Sequence, residues 1–265
     1  MHAIRKLLRC CLPHMLEDAL REAHSRRAGI HALTQWTAWD DKALDFYRQF
    51  LPLGSTCFDV GANVGNRSKI FAKLARRVIA VEPQASCQFV LASLCKCSQN
   101  VTVTPKALGK VEGVLEMHVN EASQLSTLSR EWMDVAKATG RFGDYHWGRT
   151  EMISVTTLDR LIEEFGIPDF VKIDVEGYEL QVLEGLSQSL PALSFEFVPE
   201  RLPILAQCLT RLRELGPVAM NYALGEDLSL RLVNWLRPEP FLRHLRAMPF
   251  SAADFGDVYV KSVAD

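Results

Sequence analysis

The chain has 265 residues, a formal charge of -2 and a hydrophobic fraction of 48%. That length suits one α/β domain with a full core, and the near-neutral balance argues against a nucleic-acid binder, a disordered chain or a collagen-like one. The seven cysteines are an odd number, which argues against a closed disulfide framework. Neither the adjacent Cys10 and Cys11 nor "CKC" at 95–97 has paired zinc-ligand spacing, so the cysteines are expected as reduced thiols and not as a metal centre.

The first stretch, "MHAIRKLLRCCLPHML", is basic and partly apolar, but its charges and proline leave neither a secretory apolar core nor a cleavage site. Nothing elsewhere approaches the roughly 20 apolar residues of a membrane span. A soluble, cytoplasmic chain is expected, with an amphipathic N-terminal extension free to touch a membrane surface loosely or to be merely solvated. Leu16 to Arg27 suit a helix ended by Gly29, and "DDKALDFYRQFLPLGS" suits a second helix closed by Pro52 and Gly54. Residues 1–54 therefore read as a helical extension, and 55–265 as the main domain.

That domain alternates. "TCFDVGA" reads as a buried strand, Asn66 to about Ala75 as a helix, and "RVIAVEP" as a second strand with a proline stop. A helix through "QASCQFVLASLCK", a strand in "VTVTPKAL" and another in "GVLEMHV" follow. Residues 121–150 are polar and carry Gly140, Gly143 and Gly148. They read as a long loop with a short helical stretch in "SREWMDVAKA", of the kind that serves as a lid or insert. Alternation resumes with the strand "MISVTTL", the helix "DRLIEEFG", the strand "FVKIDVE", the helix "YELQVLEGLSQSL" and the strand "ALSFEF". In that last helix Leu180, Leu183, Leu186 and Leu190 would face the sheet. A helix in "PILAQCLTRLREL" and strands in "PVAMNYAL" and "DVYVKS" complete the count. Such an order implies a mostly parallel sheet flanked by helices.

Two constellations carry chemistry. In "FDVGANVGNRS" a strand runs through Asp59 into Gly61 and Gly65 and then a helix, exposing backbone N–H groups to a ligand. The spacing is not the G-x-G-x-x-G of a dinucleotide site. Glu82 ends the next strand, about 20 residues on, where a carboxylate can accept hydrogen bonds from both ribose hydroxyls. Together these suit a nucleoside without a pyrophosphate, which points to S-adenosylmethionine. The second constellation is "FVKIDVEGYE". Lys172, Asp174 and Glu176 alternate with apolar residues, placing Asp174 and Glu176 on one face near the carboxyl end of a strand, where doubly wound sheets collect ligands. The bland alternative is a salt-bridge ladder with no chemistry.

"FDVGANVGNRS", "VIAVEPQ", "KALG", "SVTTLDRL" and above all "VKIDVEGYELQVLEGL" resemble the FkbM family of S-adenosylmethionine-dependent methyltransferases, over roughly residues 55–200 in the family's order. The resemblance implies a Rossmann-like methyltransferase sheet, mostly parallel with helices on both faces, its last strand antiparallel in "GDVYVK". It implies that Asp59, Gly61, Ala62, Asn63 and Gly65 surround the methionine part of the cofactor and that Glu82 binds the ribose. Pro83 and Gln84 would border the adenosine, Ala107 and Leu108 would lie near the adenine, and Ser126 and Thr127 at the cofactor rim. Asp174 and Glu176 would edge the methyl-transfer pocket.

Asp174, then Glu176, is the candidate base for a hydroxyl acceptor, and either could instead bind the cofactor's amino group or a metal. His146, in "GDYHWG", is a further base candidate from the lid, and His118 a weaker one. Tyr145 and Trp147 would stack on an acceptor or anchor the lid. The expected activity is O-methylation of a hydroxyl on a sugar, glycan or polyketide-like small molecule, with no nucleic-acid partner. The alternatives are an inactive cofactor-binding docking module and, weakest, an NAD-dependent oxidoreductase.

Overall fold

The computed structural model describes residues 27–31, 33–141, 143, 145–251 and 253–264. The expected helix from Leu16 falls almost wholly outside them. Residues 27–31, however, are helical through Gly29. This glycine does not end a helix, and a Cβ there would meet Val90 at 3.2 Å.

Helix α1 (Ala38–Tyr47) starts at a capping box in which Thr37 and Asp40 exchange side-chain to backbone bonds. Asp40 is buried and paired to Lys69 at 2.9 Å. The alternating unit then runs β1 (Thr56–Val60), α2 (Asn66–Leu74), β2 (Arg77–Val81), α3 (Ala85–Cys97) and β3 (Val101–Thr104). Cys95 and Cys97 lie on α3 as free thiols.

Pro105 has no N–H to continue the ladder, and "VTVTPKAL", expected as one strand, divides there. β4 (Ala107–Leu108) belongs to a second, three-stranded sheet with β5 (Gly113–Asn120) and β6 (Trp147–Thr156), in the order β4-β6-β5. The stretch expected as a long loop joins β5 to β6 and is more ordered than its polarity suggests. It holds a 3-10 turn at Ser123–Leu125, helix α4 (Arg130–Thr139) and the first residues of β6. α4 is N-capped by the Ser129 hydroxyl and ended by Gly140.

The remaining elements are α5 (Leu158–Phe165), β7 (Phe170–Ile173), α6 (Glu179–Glu184), β8 (Ala192–Phe197), α7 (Leu202–Leu215), β9 (Val218–Leu224), α8 (Pro238–Arg246) and β10 (Gly256–Ser262). α6 stops at Gly185, well short of the helix expected through Leu190, although Leu183, Leu186 and Leu190 are all buried.

The main sheet has the order β3-β2-β1-β7-β8-β10-β9. Its pairs are parallel except those of β10, which runs antiparallel to both β8 and β9. This is the expected Rossmann-like sheet with an antiparallel final strand. Both faces are covered, so β1 and β7 are buried along their whole length. One face packs Phe58, Val60, Val171, Ile173 and Phe195 against α5–α8. The other packs Cys57, Val78, Ala80 and Phe170 against α1–α3. Sheet order reverses between β1 and β7, so the loops leaving these strands diverge and open a crevice at their carboxyl ends.

Candidate active site

The register Val60↔Ile173 brings the two signature loops together, Gly61 beside Asp174. Gly61 has φ +79°, and a Cβ on it would lie 1.8 Å from the carbonyl oxygen of Asp174. The Asp174 N–H donates to Val60 O at 2.9 Å, which locks the two loops at that separation. Asn63 adopts φ +49°. Its Nδ2 donates to Ser123 Oγ at 3.1 Å, tying the first loop to the β5–β6 connection.

Glu82 is almost fully buried at the end of β2, and each of its oxygens accepts one backbone N–H: Asn63 at 2.8 Å and Gln84 at 2.7 Å. Burial pushes its carboxyl up to about 7 against the pull of these hydrogen bonds. A carboxylate has about four lone-pair sites, so both oxygens keep capacity for a ligand's hydroxyls. Gln84 extends the wall, accepting from the Ser126 hydroxyl at 3.0 Å and donating to Ser123 O at 3.0 Å.

The second wall is acidic. Fully buried Lys172 donates to Asp174 and to Asp257, each at 3.1 Å. Burial alone would lower its pKa, but these two carboxylates outweigh that and hold it well above the usual lysine value. Asp174 and Glu176 are joined by Glu196 from the end of β8, their carboxylate oxygens all within 4.8 Å of one another. Among the described residues this is the one group of His, Cys, Asp and Glu compact enough to share a cation. Burial, and then the charge of neighbouring acids, raises the carboxyls of Glu176 and Glu196 well above the ordinary range.

The β5–β6 connection forms the third wall. Thr127 donates its hydroxyl to Glu176 O at 2.6 Å, and the indole Nε1 of Trp132, on α4, donates to the Glu176 carboxylate at 3.2 Å. Past the end of α4, Arg141, its side chain buried, pairs with Glu200, its Nη2 donating to both carboxylate oxygens, at 2.8 and 2.7 Å. We refer to residues 127–141 as the strap.

These walls enclose a cavity of about 320 Å³, within the range of small-molecule sites. Gly61, Asn63, Glu82, Pro83, Gln84, Ala107, Leu108, Ser126, Thr127, Asp174 and Glu176 all line it. Other expected site residues do not. Asp59 is buried within β1 and accepts from the Ser68 hydroxyl at 2.5 Å, burial bringing its carboxyl up to about 6. Ala62 is buried with its N–H on Val81 O, and Gly65 begins α2. His146, just before β6, is exposed and outside the cavity wall. His118 Nε2 accepts from Arg130 at 3.3 Å, also outside the wall. Tyr145 is exposed, while Trp147 anchors the connection through a bond to Leu125 O at 2.8 Å.

The sequence reading missed Glu196, Trp132 and Arg141. Glu196 carries the signal that flagged Asp174, an acid near the carboxyl end of an apolar strand. Trp132 and Arg141 have no such signal, since their partners lie 44 and 59 residues away.

The cavity suits an adenosyl sulfonium. It is lined by the Gly61 to Asn63 turn, by the buried Glu82 carboxylate with spare acceptor sites, and by the acids Asp174, Glu176 and Glu196. The sequence model of the methyltransferase FkbM domain matches residues 59–200, more than half of the chain. No curated protein matches it. Among solved structures, the methyltransferase FkbM from Methylobacillus flagellatus KT is 14% identical, with a TM-score of 0.44, 92% of this chain covered and 60% of that one. The precorrin-6y C5,15-methyltransferase from Geobacter metallireducens GS-15 is 13% identical, with a TM-score of 0.44 and coverages of 84% and 86%. An rRNA methylase from Streptococcus thermophilus is 12% identical, with a TM-score of 0.42 and coverages of 84% and 95%.

Proposed function

Because this chain belongs to the FkbM methyltransferase family and is an S-adenosylmethionine-dependent methyltransferase, we propose that it methylates a hydroxyl group on a small molecule such as a sugar, glycan or polyketide-like acceptor. The observation that carries this reading is the trio Asp174, Glu176 and Glu196 on the cavity wall, within 4.8 Å of one another. A hydroxyl must lose its proton as the new bond to carbon forms, and the carboxyls of Glu176 and Glu196, which burial and neighbouring acids raise above the ordinary range, are suited to take it.

S-adenosylmethionine, when bound, supplies a methyl group already activated on a sulfonium. The protein's own work is then alignment and proton removal. In this reading Glu82 accepts hydrogen bonds from the ribose hydroxyls. Gly61 and Asn63 form the floor beneath the methionine part, and Pro83, Gln84, Ala107 and Leu108 border the base. Ser126 keeps Gln84 in place through its hydroxyl. Asp174 is paired to Lys172 beside the acceptor, and Glu176 or Glu196 takes the proton.

The test has two stages. Thermal unfolding with S-adenosylmethionine, S-adenosylhomocysteine and NAD is expected to show stabilisation by the first two alone. Transfer of labelled methyl is then measured on paired acceptors that differ only in carrying a hydroxyl or an amine. Transfer to the amines and not the hydroxyls would overturn O-methylation.

A further inference from the structure

Only two non-glycine residues among those described have positive φ, Asn63 and Glu176, and both line the cavity. At φ +52° Glu176 occupies a conformation a glutamate seldom adopts, and such strain persists only where surrounding contacts over-determine it. Those contacts come from the strap. The Thr127 hydroxyl fixes the peptide of Glu176 through its carbonyl oxygen, and the Trp132 indole fixes the carboxylate. The two donors are themselves tied together. Thr127 Oγ1 accepts the Ser129 N–H at 2.8 Å, and Ser129 Oγ accepts the Trp132 N–H at 3.1 Å. Gly177 makes the approach possible, since a Cβ there would lie 2.6 Å from Trp132 Cβ and 2.7 Å from its Cγ.

We propose that Trp132 and Thr127 are positioning residues, which set the direction in which Glu176 presents its carboxylate to the methyl acceptor. The proposal rests on the reading of Glu176 as part of the proton-accepting trio. The chemistry of the donor supports it. An arginine or lysine in that place would hold Glu176 ionised and weaken it as a base. An indole N–H is a neutral donor with one fixed direction, so it orients the carboxylate without cancelling its charge. The charged groups facing Glu176 are Asp174 from its own loop, Glu179 from α6, Glu196 from β8 and Lys172 from β7. Acids dominate this set, and with burial they keep the Glu176 carboxyl well above its ordinary range.

The test uses the whole chain, labelled with ¹³C at glutamate carboxyls and ¹⁵N at indoles, in buffer containing a chelator. The Glu176 carboxyl is assigned by its loss in Glu176→Gln. Removing the donor in Trp132→Phe, which keeps a ring over Gly177, is expected to raise the Glu176 titration midpoint by about one pH unit, because a hydrogen bond that favoured the anion is gone. A tryptophan that only fills space would leave the midpoint unchanged, and that result overturns the proposal. If Trp132→Phe does not fold, the wild type and Glu176→Gln suffice. The Trp132 indole resonance is expected to move with pH in the first and to stay still in the second, and the same pH response in both overturns the proposal. A methyl-transfer assay separates the two levels of the argument. Full transfer by Glu176→Gln, with the indole coupling intact in the wild type, would overturn the chemistry assigned to Glu176 and not the hydrogen bond.

Discussion

Gly61 tolerates no side chain, because the sheet register holds its α-carbon against the Asp174 carbonyl. Gly61→Ala combines an unfavourable φ with a backbone clash, so it is expected to destabilise the fold by at least about 2 kcal/mol and to abolish S-adenosylhomocysteine binding. Thermal unfolding and calorimetry would check both. Glu82 gives a graded prediction. Glu82→Ala should weaken S-adenosylmethionine binding by about 1 to 3 kcal/mol. Ribose hydroxyls bond best to the ionised carboxylate, so wild-type affinity should tighten as pH rises through about 7, where its carboxyl titrates. Titration calorimetry at pH 6 and pH 8 would test this, and a pH-independent affinity would remove Glu82 from the ribose. At Asp174 the split between parameters is informative. Asp174→Asn is expected to lower turnover far more than cofactor affinity if the carboxylate serves the acceptor, and both alike if it holds the cofactor.

At the scale of elements, helix α4 of the strap is largely exposed. α4 has only Trp132 and Ala136 among its buried residues. It is held at its start by the Ser129 cap and Trp132, and beyond its end by the Arg141–Glu200 pair. Losing an N-cap hydroxyl costs a helix about 0.5 to 2 kcal/mol. Ser129→Ala is therefore expected to raise amide hydrogen exchange in α4 while β1 and β7 stay protected. Equal loss of protection in the sheet would mean that the strap is integral to the core. The opposite case is β7, which lies in the middle of the main sheet, paired on one side with β1 and on the other with β8. Phe170 on this strand stacks on Phe50, their ring centroids 5.2 Å apart.

Over the whole molecule, buried acids couple stability to pH. The folded value of Glu82, about 7, lies above the 4.5 of an unperturbed glutamate, so the folded state holds that proton more tightly than the unfolded chain. The resulting stability is complete below about 4.5 and is lost as pH rises through about 7. For Glu82 alone it amounts to about 3 kcal/mol. Asp59, raised from 3.8 to about 6, acts in the same sense. The ligand-free protein is thus expected to melt at a higher temperature at pH 5 than at pH 8, and a flat or reversed profile would contradict these burial effects. Added S-adenosylhomocysteine should work the other way, its stabilisation growing toward pH 8 as Glu82 ionises.

The sequence by itself determined the sheet, the glycine turn beside the cavity and one acidic wall. β-α-β alternation, the glycine spacing after β1 and the acids after β2 and β7 are local patterns, written within a few residues of where they act. It also located Glu82, since the end of the strand after a glycine turn is a fixed place in this topology. The tertiary structure alone decided what crosses the cavity. Nothing local shows that Pro105 would send the chain into a second sheet, or that a polar stretch would fold into a strap bearing Trp132 and Arg141. Nor does local pattern say which way a side chain points. Asp59 and Asp174 look alike as acids at strand ends, yet one lies inside the strand facing Ser68 and the other leaves it toward the cavity. The trio of Asp174, Glu176 and Glu196 exists only because β7 and β8 pair in parallel, bringing together carboxylates from separate segments whose repulsion and burial then set their chemistry.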